Sequence, residues 1–186
     1  MSPSPTTQQT RPSTDAGPFA ASPEPALRTL PLSLGVLRIA LGLVLGWSFL
    51  DKLFGFGFPT PGERAVLAGS SATRGYLMST EGFAAGLFQA MAGHWWVDAL
   101  FLLGLGGGAI ALLFGIASRL GTVAVIAVMG MLWLSSLPLS HNPVIDQHLF
   151  YCLTAVALLT TGADRVLGLG TVWRALPVVR RQPVLW

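Results

Sequence analysis

The stretch Leu30 to Gly55, LPLSLGVLRIALGLVLGWSFLDKLFG, limits what this chain can fold into more than any other. It is long enough to cross a bilayer as a helix, which takes ~20 mostly apolar residues. One charge, Arg38, lies inside the run, which ends on the adjacent pair Asp51 and Lys52. Arg38, Gly42 and Gly46 recur at every fourth residue, so they share one helical face. Gly42 and Gly46 form a small-xxx-small pair, which lets a neighbouring helix approach closely where packing and hydrogen bonds must drive association. A lone anchor in lipid needs no such face. The segment therefore reads as the packed core helix of a polytopic membrane protein.

Composition agrees, because 52% of residues are hydrophobic and only 10% are charged. A soluble domain carries about 25% charged residues, so this chain lacks the means to cover a water-facing surface. Its length of 186 residues gives room for one domain. The net charge of +3 is small, and the arginines gather near span ends, where they set orientation rather than mark a nucleic-acid partner. Cys152 is the only cysteine, which excludes an intramolecular disulfide and any CxxC relay, and with them the thiol-based membrane oxidoreductases.

Residues 1–29 are rich in Pro, Ser and Thr and poor in large apolar residues. Such a segment cannot bury enough surface to offset chain entropy, so a disordered tail is expected there. It lacks the short apolar core of a signal peptide, and the hydrophobic run that follows is of span length. A long connection, Phe56 to Gly93, comes next. Within it Phe83, Leu87, Phe88 and Met91 fall near helical spacing, so Glu81 to Ala92 is expected as a short amphipathic helix. That helix either lies in the bilayer interface or caps the bundle.

Three further spans are expected at about 96–118, 120–139 and 143–163, after a first at about 30–54. Glycines 104, 106, 107 and 108 crowd the second, and close helix contact supplies a reason for them. Arg119 makes a short turn into the third span. Asn142-Pro143 reads as the start of the fourth, an N-cap followed by proline at the first helical position. The expected fold is all-α, an integral membrane four-helix bundle over residues 30–170 between the N-terminal tail and a basic tail at 171–186. With four spans both termini share one side, which holds Arg28, Arg119, Arg165, Arg174, Arg180 and Arg181. The opposite side holds Lys52, Arg64 and Arg74, so the positive-inside rule puts both termini in the cytoplasm of a cell-membrane protein. The basic tail suits an anionic inner leaflet, at ~1 kcal/mol per basic residue.

This topology collects the polar residues at the outer end of the bundle. Asp51 and Lys52 end the first span, His94 and Asp98 begin the second, and His141, Asn142, Asp146 and His148 lie between the third and the fourth. Trp47, Trp95, Trp96, Trp133 and Tyr151 stand at the same level, either as an interfacial aromatic belt or as part of a site. Asp51 and Lys52 either pair with each other or bind a ligand. His148 lies one turn into the final span in line with Cys152, close to Asp146 and Tyr151, and an ionisable residue inside a span is a functional-site candidate. Histidine is also the side chain that changes charge near neutral pH. A metal site from His141, Asp146 and His148 lacks the usual ligand spacing, and haem would need inward-facing histidines within two spans, so neither is expected. Arg38 either snorkels to the interface or meets a partner on another span.

The runs LRIALGLVLGWSFLDKLFG, LLFGIASRLG and HNPVIDQHLFYCLTAVALLTTGADRVLGLG resemble the DoxX family of four-span prokaryotic membrane proteins. That family includes the DoxD-type large subunit of thiosulfate:quinone oxidoreductase. The resemblance covers roughly Pro31 to Gly170, and its most specific pieces are Arg38, Trp47 and Asp51-Lys52, then Asn142-Pro143, Asp146 and His148. It implies a membrane subunit of a quinone-linked redox system, with thiosulfate oxidised to tetrathionate outside, electrons passed to quinone, and a smaller redox subunit as partner. Asp51, Lys52, Asp146 and His148 would then be the catalytic candidates, Lys52 for the thiosulfate dianion and His148 with Asp146 for quinone protons. Arg38, Trp47, His141 and Asn142 are the ligand-binding candidates. A second class stays open, a non-catalytic scaffold that organises partner redox proteins through its outer loop. A small transporter fits less well, because four spans without a repeat or broken helices lack the usual transporter architecture. Convergence of the outer charges on one pocket would favour the enzyme, and their splaying toward water the scaffold.

Overall fold

The computed structural model describes residues 31–186; the expected tail at 1–29, and Arg28 within it, lie outside the described residues. Helix α1, Leu32–Phe54, starts after Pro31 and stops at Gly55. Gly55 takes the left-handed conformation (φ 73°) that suits a residue without Cβ. The long connection holds two 3-10 turns and two short helices, α2 (Arg74–Met78) and α3 (Ala85–Met91). Helix α4 runs Trp95–Phe114, α5 Ser118–Ser135 and α6 Gln147–Thr161. A 3-10 turn, Ala163–Arg165, then leads to α7 (Gly170–Ala175) and α8 (Pro177–Arg181).

The fold is an all-helical bundle in which α1 packs on α4, α4 on α5 and α5 on α6, while α1 and α6 touch only lightly. Its core joins Leu41 and Leu45 of α1 to Leu105, Ala109 and Leu112 of α4, Val125 and Val128 of α5, and Ala155 and Leu158 of α6. Three helices, α1, α4 and α5, are long and apolar enough to cross a membrane, whereas α6 is apolar but has 15 residues.

The fourth helix thus begins later than the expected 143. The Asn142 side-chain oxygen accepts the N–H groups of Val144 and Ile145, both at 2.9 Å, and closes a turn ahead of the helix. Asp146 takes the cap instead, its Oδ1 accepting the Leu149 N–H at 3.0 Å. Asn and Asp are about equally good helix caps, and the chain uses Asp146. Helices α4 and α5 also stop short of the expected 118 and 139, at Phe114 before a left-handed Gly115 and at Ser135.

The glycines meet neighbouring helices as their spacing predicts. Gly42 lies on Leu113, Gly46 on Ala109, Gly104 on Val128, and Gly108 on Val125 and Leu45. Gly121 answers from α5 against Ala111, while Gly107 faces open space. A Cβ at Gly104 would overlap a Val128 methyl, whereas one at Gly46 would sit 3.6 Å from the Ala109 Cβ, an ordinary contact. Gly104→Leu should therefore lower the detergent-solubilised protein's stability by about 1–3 kcal/mol, the usual result of overpacking. Gly107→Leu should leave it unchanged and Gly46→Leu should fall between. Thermal unfolding of the three variants tests the order, and equal midpoints for Gly104→Leu and Gly107→Leu would contradict it.

In the connection, α3 buries Phe88 against Leu77 and Val97 over the end of the bundle, while Phe83 and Leu87 stay exposed. The segment is a cap. The basic C-terminal stretch is folded rather than trailing. The Arg119 N–H donates to the Trp186 carbonyl at 2.7 Å and its guanidinium to that of Pro183 at 2.9 Å. The same guanidinium stands over the Trp186 ring, 5.3 Å from its centroid, and Arg180 and Arg181 remain exposed.

Candidate functional site

Polar side chains gather at both ends of the bundle. At the end where α1 begins, Arg38 is 2% exposed and reaches neither water nor another span's carboxylate. Its Nε donates to the Ala163 carbonyl at 3.2 Å, and its Nη2 to those of Val166 and Leu167, each at 3.0 Å. Its Nη1 donates to the carbonyls of Leu112 and Leu113. A helix leaves its last four carbonyls unpaired. The five donors of one guanidinium serve the last turn of α4 and the turns after α6 together. Asp164 is buried beside this knot and accepts a hydrogen bond from Arg174 Nη2 at 2.8 Å. Gly115, Gly168 and Gly170 press so closely on Asp164 that a Cβ at any of them would collide with it. All of Arg38's donors are engaged, which makes it a fastener.

At the opposite end, where the long connection lies, two carboxylates fold that connection down. Asp51 is 0% exposed; its Oδ1 accepts the Phe58 N–H at 2.9 Å and its Oδ2 that of Thr60 at 2.8 Å. Asp98 Oδ1 accepts from Ser71 Oγ at 2.9 Å, and from the N–H and hydroxyl of Thr73 at 2.9 and 2.7 Å. The start of the connection is thus tied to α1 and its middle to α4. Trp47 is exposed and packs on Phe56 and Phe58, with ring centroids 5.7 and 6.0 Å away. Neither Trp47 nor Asp51 meets His141, Asp146 or His148 through a hydrogen bond or ion pair among the described residues.

His148 is the second residue of α6, in its first turn, because Asp146 caps that helix. Its Nδ1 lies 2.6 Å from Asp146 Oδ2. A carboxylate at Nδ1 favours the proton there and turns Nε2 outward. Burial by itself would raise the Asp146 carboxyl. The Leu149 N–H and the His148 side chain outweigh that and hold it below the usual carboxylate range. His141 is exposed, with Nδ1 2.7 Å from the Ser140 hydroxyl, and Asn142 is engaged in its own turn.

Two hollows divide these groups. A cleft of about 440 Å³ in the loop between α5 and α6 is lined by His141, Asn142, Asp146 and Gln147. A larger cavity of about 790 Å³ lies among α1, α4, α5 and α6 beneath the connection. Lys52, Gln147, His148 and Tyr151 line it together with Tyr76 and Ser135, whose hydroxyls are 2.8 Å apart. Below them its walls are apolar, including Leu45, Leu105, Val128 and Leu132. Exposed apolar side chains, Val44 of α1, Leu103 of α4 and Met131 of α5, also line it, so it opens on the surface a bilayer would cover. A long apolar hollow with a few polar groups at one end fits an amphiphile.

Lys52 and His148, predicted from sequence, therefore share one cavity, and Asp51 lies in its wall with both oxygens engaged by the loop. His141 and Asn142 border the other hollow, Asp146 joins the two through His148, and Arg38 and Trp47 belong to neither of these. Sequence reasoning missed Tyr76 and Ser135, which carry no motif, and Asp164. Asp164 lies one residue beyond the expected end of the fourth span at about 163, outside the segments in which buried charges are weighed. Among the described residues no three His, Cys, Asp or Glu side chains stand close enough to hold a metal ion. Compared with protein-family models, curated proteins and solved structures, the chain matches none.

Proposed function

We propose that this protein binds a quinone in the cavity between its helices and serves a quinone-linked redox reaction as a membrane subunit. One observation carries the reading: Lys52 and the Asp146-held imidazole of His148 converge on an apolar cavity that opens toward the bilayer. A quinone is apolar along its tail and presents two carbonyl oxygens that accept hydrogen bonds, which Lys52 and, in its protonated form, His148 Nε2 can donate. The DoxX resemblance supplies the electron donor: two thiosulfate ions join as tetrathionate and release two electrons. With two protons these convert a quinone to a quinol. Cytoplasmic termini would place this chemistry at the outer face. A scaffold is the second reading, favoured by the way Asp51 and Asp98 pin the connection into a fixed platform.

Decylubiquinone binding to the purified protein in nanodiscs separates them, read by quenching of tryptophan fluorescence, since Trp96 lines the cavity. Lys52→Ala and His148→Ala should each weaken binding about tenfold, equivalent to ~1.4 kcal/mol, and His141→Ala should leave it unchanged. Equal binding by the wild type and the Lys52→Ala/His148→Ala double variant would remove the cavity as the site. No binding by any form would leave the scaffold.

A further inference from the structure

The two hollows at the loop end are separate, yet one pair of side chains belongs to both. Asp146 lines the loop cleft, His148 lines the intramembrane cavity, and a 2.6 Å contact joins them. Gln147, between them in sequence, lines both. The cleft is walled by Ser136, Ser140, His141 and Asn142, of which His141 and Asn142 are exposed, so it is a water-facing hollow. The cavity is walled mainly by apolar side chains and opens toward lipid. The side chains of both members are mostly buried, at 19% exposure for His148 and 18% for Asp146. The pair forms a partition between water and hydrocarbon.

We infer that the Asp146–His148 pair is the route by which protons pass between the water at the loop end and a ligand in the cavity, so that this site exchanges protons with one side of the membrane only. The inference rests on the quinone reading for its ligand and goes further by assigning the source of the protons. The protonated imidazole gives its Nε2 proton to a reduced quinone oxygen and becomes neutral, its Nδ1–H still donating to Asp146. Exchange to the other tautomer moves that proton from Nδ1 to Nε2, and a proton from water in the cleft, relayed by the Asp146 carboxylate, then restores the imidazolium at the bared Nδ1. Two such passages, with two electrons from the thiosulfate-class donor, give the quinol. The other titratable groups near His148 are Lys52 from α1, Tyr76 from α2, and Tyr151 and Cys152 on α6 itself. Asp51 also lines the cavity, with its oxygens held by Phe58 and Thr60. The linings contributed by α4 and α5 contain no titratable group. At the far end Arg38 and Asp164 close the bundle, and among the described residues the hollow beside them measures about 10 Å³.

The test uses the full chain in sealed vesicles, with an acidic buffer on one face and an alkaline buffer on the other. The fraction with the loop outward is fixed by an accessible cysteine label at Gly69. Solid-state NMR of labelled histidine reads the protonation of His148, assigned by loss of its signal in His148→Gln. His148 should follow the buffer on the loop side when the gradient is reversed. A His148 signal that follows the opposite face, or neither, would overturn the inference. Asp146→Asn, checked for folding by circular dichroism and for retained decylubiquinone binding, should slow that response to a pH jump by tenfold or more; an unchanged rate would remove Asp146 from the route. Failure of decylubiquinone to bind while His148 still follows the loop side would sink the quinone reading and leave the one-sided proton exchange standing.

Discussion

Arg38→Leu is expected to lower the stability of the solubilised protein by about 3–5 kcal/mol, more than any other single change considered. A buried polar group left without its partner costs ~1–3 kcal/mol, and this substitution strands carbonyls on Leu112, Leu113, Val166 and Leu167 together, while that of Ala163 keeps the Val166 N–H. Some of these will recruit water, because they lie near a helix end, which keeps the total below a simple sum. Arg38→Lys should recover part of the loss, since an ammonium offers three donors where the guanidinium offers five. Unfolding by denaturing detergent, followed by circular dichroism, gives the comparison. A difference under ~1 kcal/mol between Arg38→Leu and wild type would mean that the knot of carbonyls does not depend on the side chain.

Asp51→Ala should cost about 2–4 kcal/mol and release the connection. Each of its hydrogen bonds joins an ionised acceptor to a backbone amide, buried at Thr60 and partly buried at Phe58, a class worth ~1.5–3 kcal/mol. Asp51→Asn should be milder, because it keeps one acceptor oxygen, although its NH₂ group then meets the second amide donor to donor. Hydrogen exchange reads the effect directly: the amides of Phe58 and Thr60 should lose protection in Asp51→Ala while the α4 and α5 amides keep theirs. Retained protection at both loop amides would rule out the tie. Asp51, a catalytic candidate from sequence, thus acts on the cavity by holding its roof.

The helices were the legible part of this chain. Long apolar runs and glycines four apart state their own geometry, so the packing of Gly42, Gly104 and Gly108 could be read before any coordinates. The roles of the charged residues were harder. Asp51 and Asp98 bind backbone amides that lie 7 to 25 residues away, and a backbone amide has no sequence signature. The same holds for Arg38, whose partners are carbonyls. The pairing of Asp146 with His148 was visible as proximity, but its place between two hollows depended on α6 starting at Gln147 rather than at Pro143. Cap preference could not separate Asn142 from Asp146, because the turn after Asn142 and the helix after Asp146 call on the same chemistry.

The late start of α6 reaches beyond the site itself. Its 15 residues rise ~22 Å, against a hydrocarbon thickness of ~30 Å. Across the bundle α1 and α4, with 23 and 20 residues, match or exceed that thickness, and α5, on which α6 packs, has 18. The protein thus presents lipid with a long flank and a short flank, a hydrophobic mismatch on one side only. Lipid beside α6 must thin, or polar headgroups must dip toward the level of Asp146, at a fraction of a kcal/mol per Å. Such a molecule sits most comfortably in a thin bilayer or with its short flank against another protein, and a ligand approaching through the lipid meets the membrane at its most deformed beside α6.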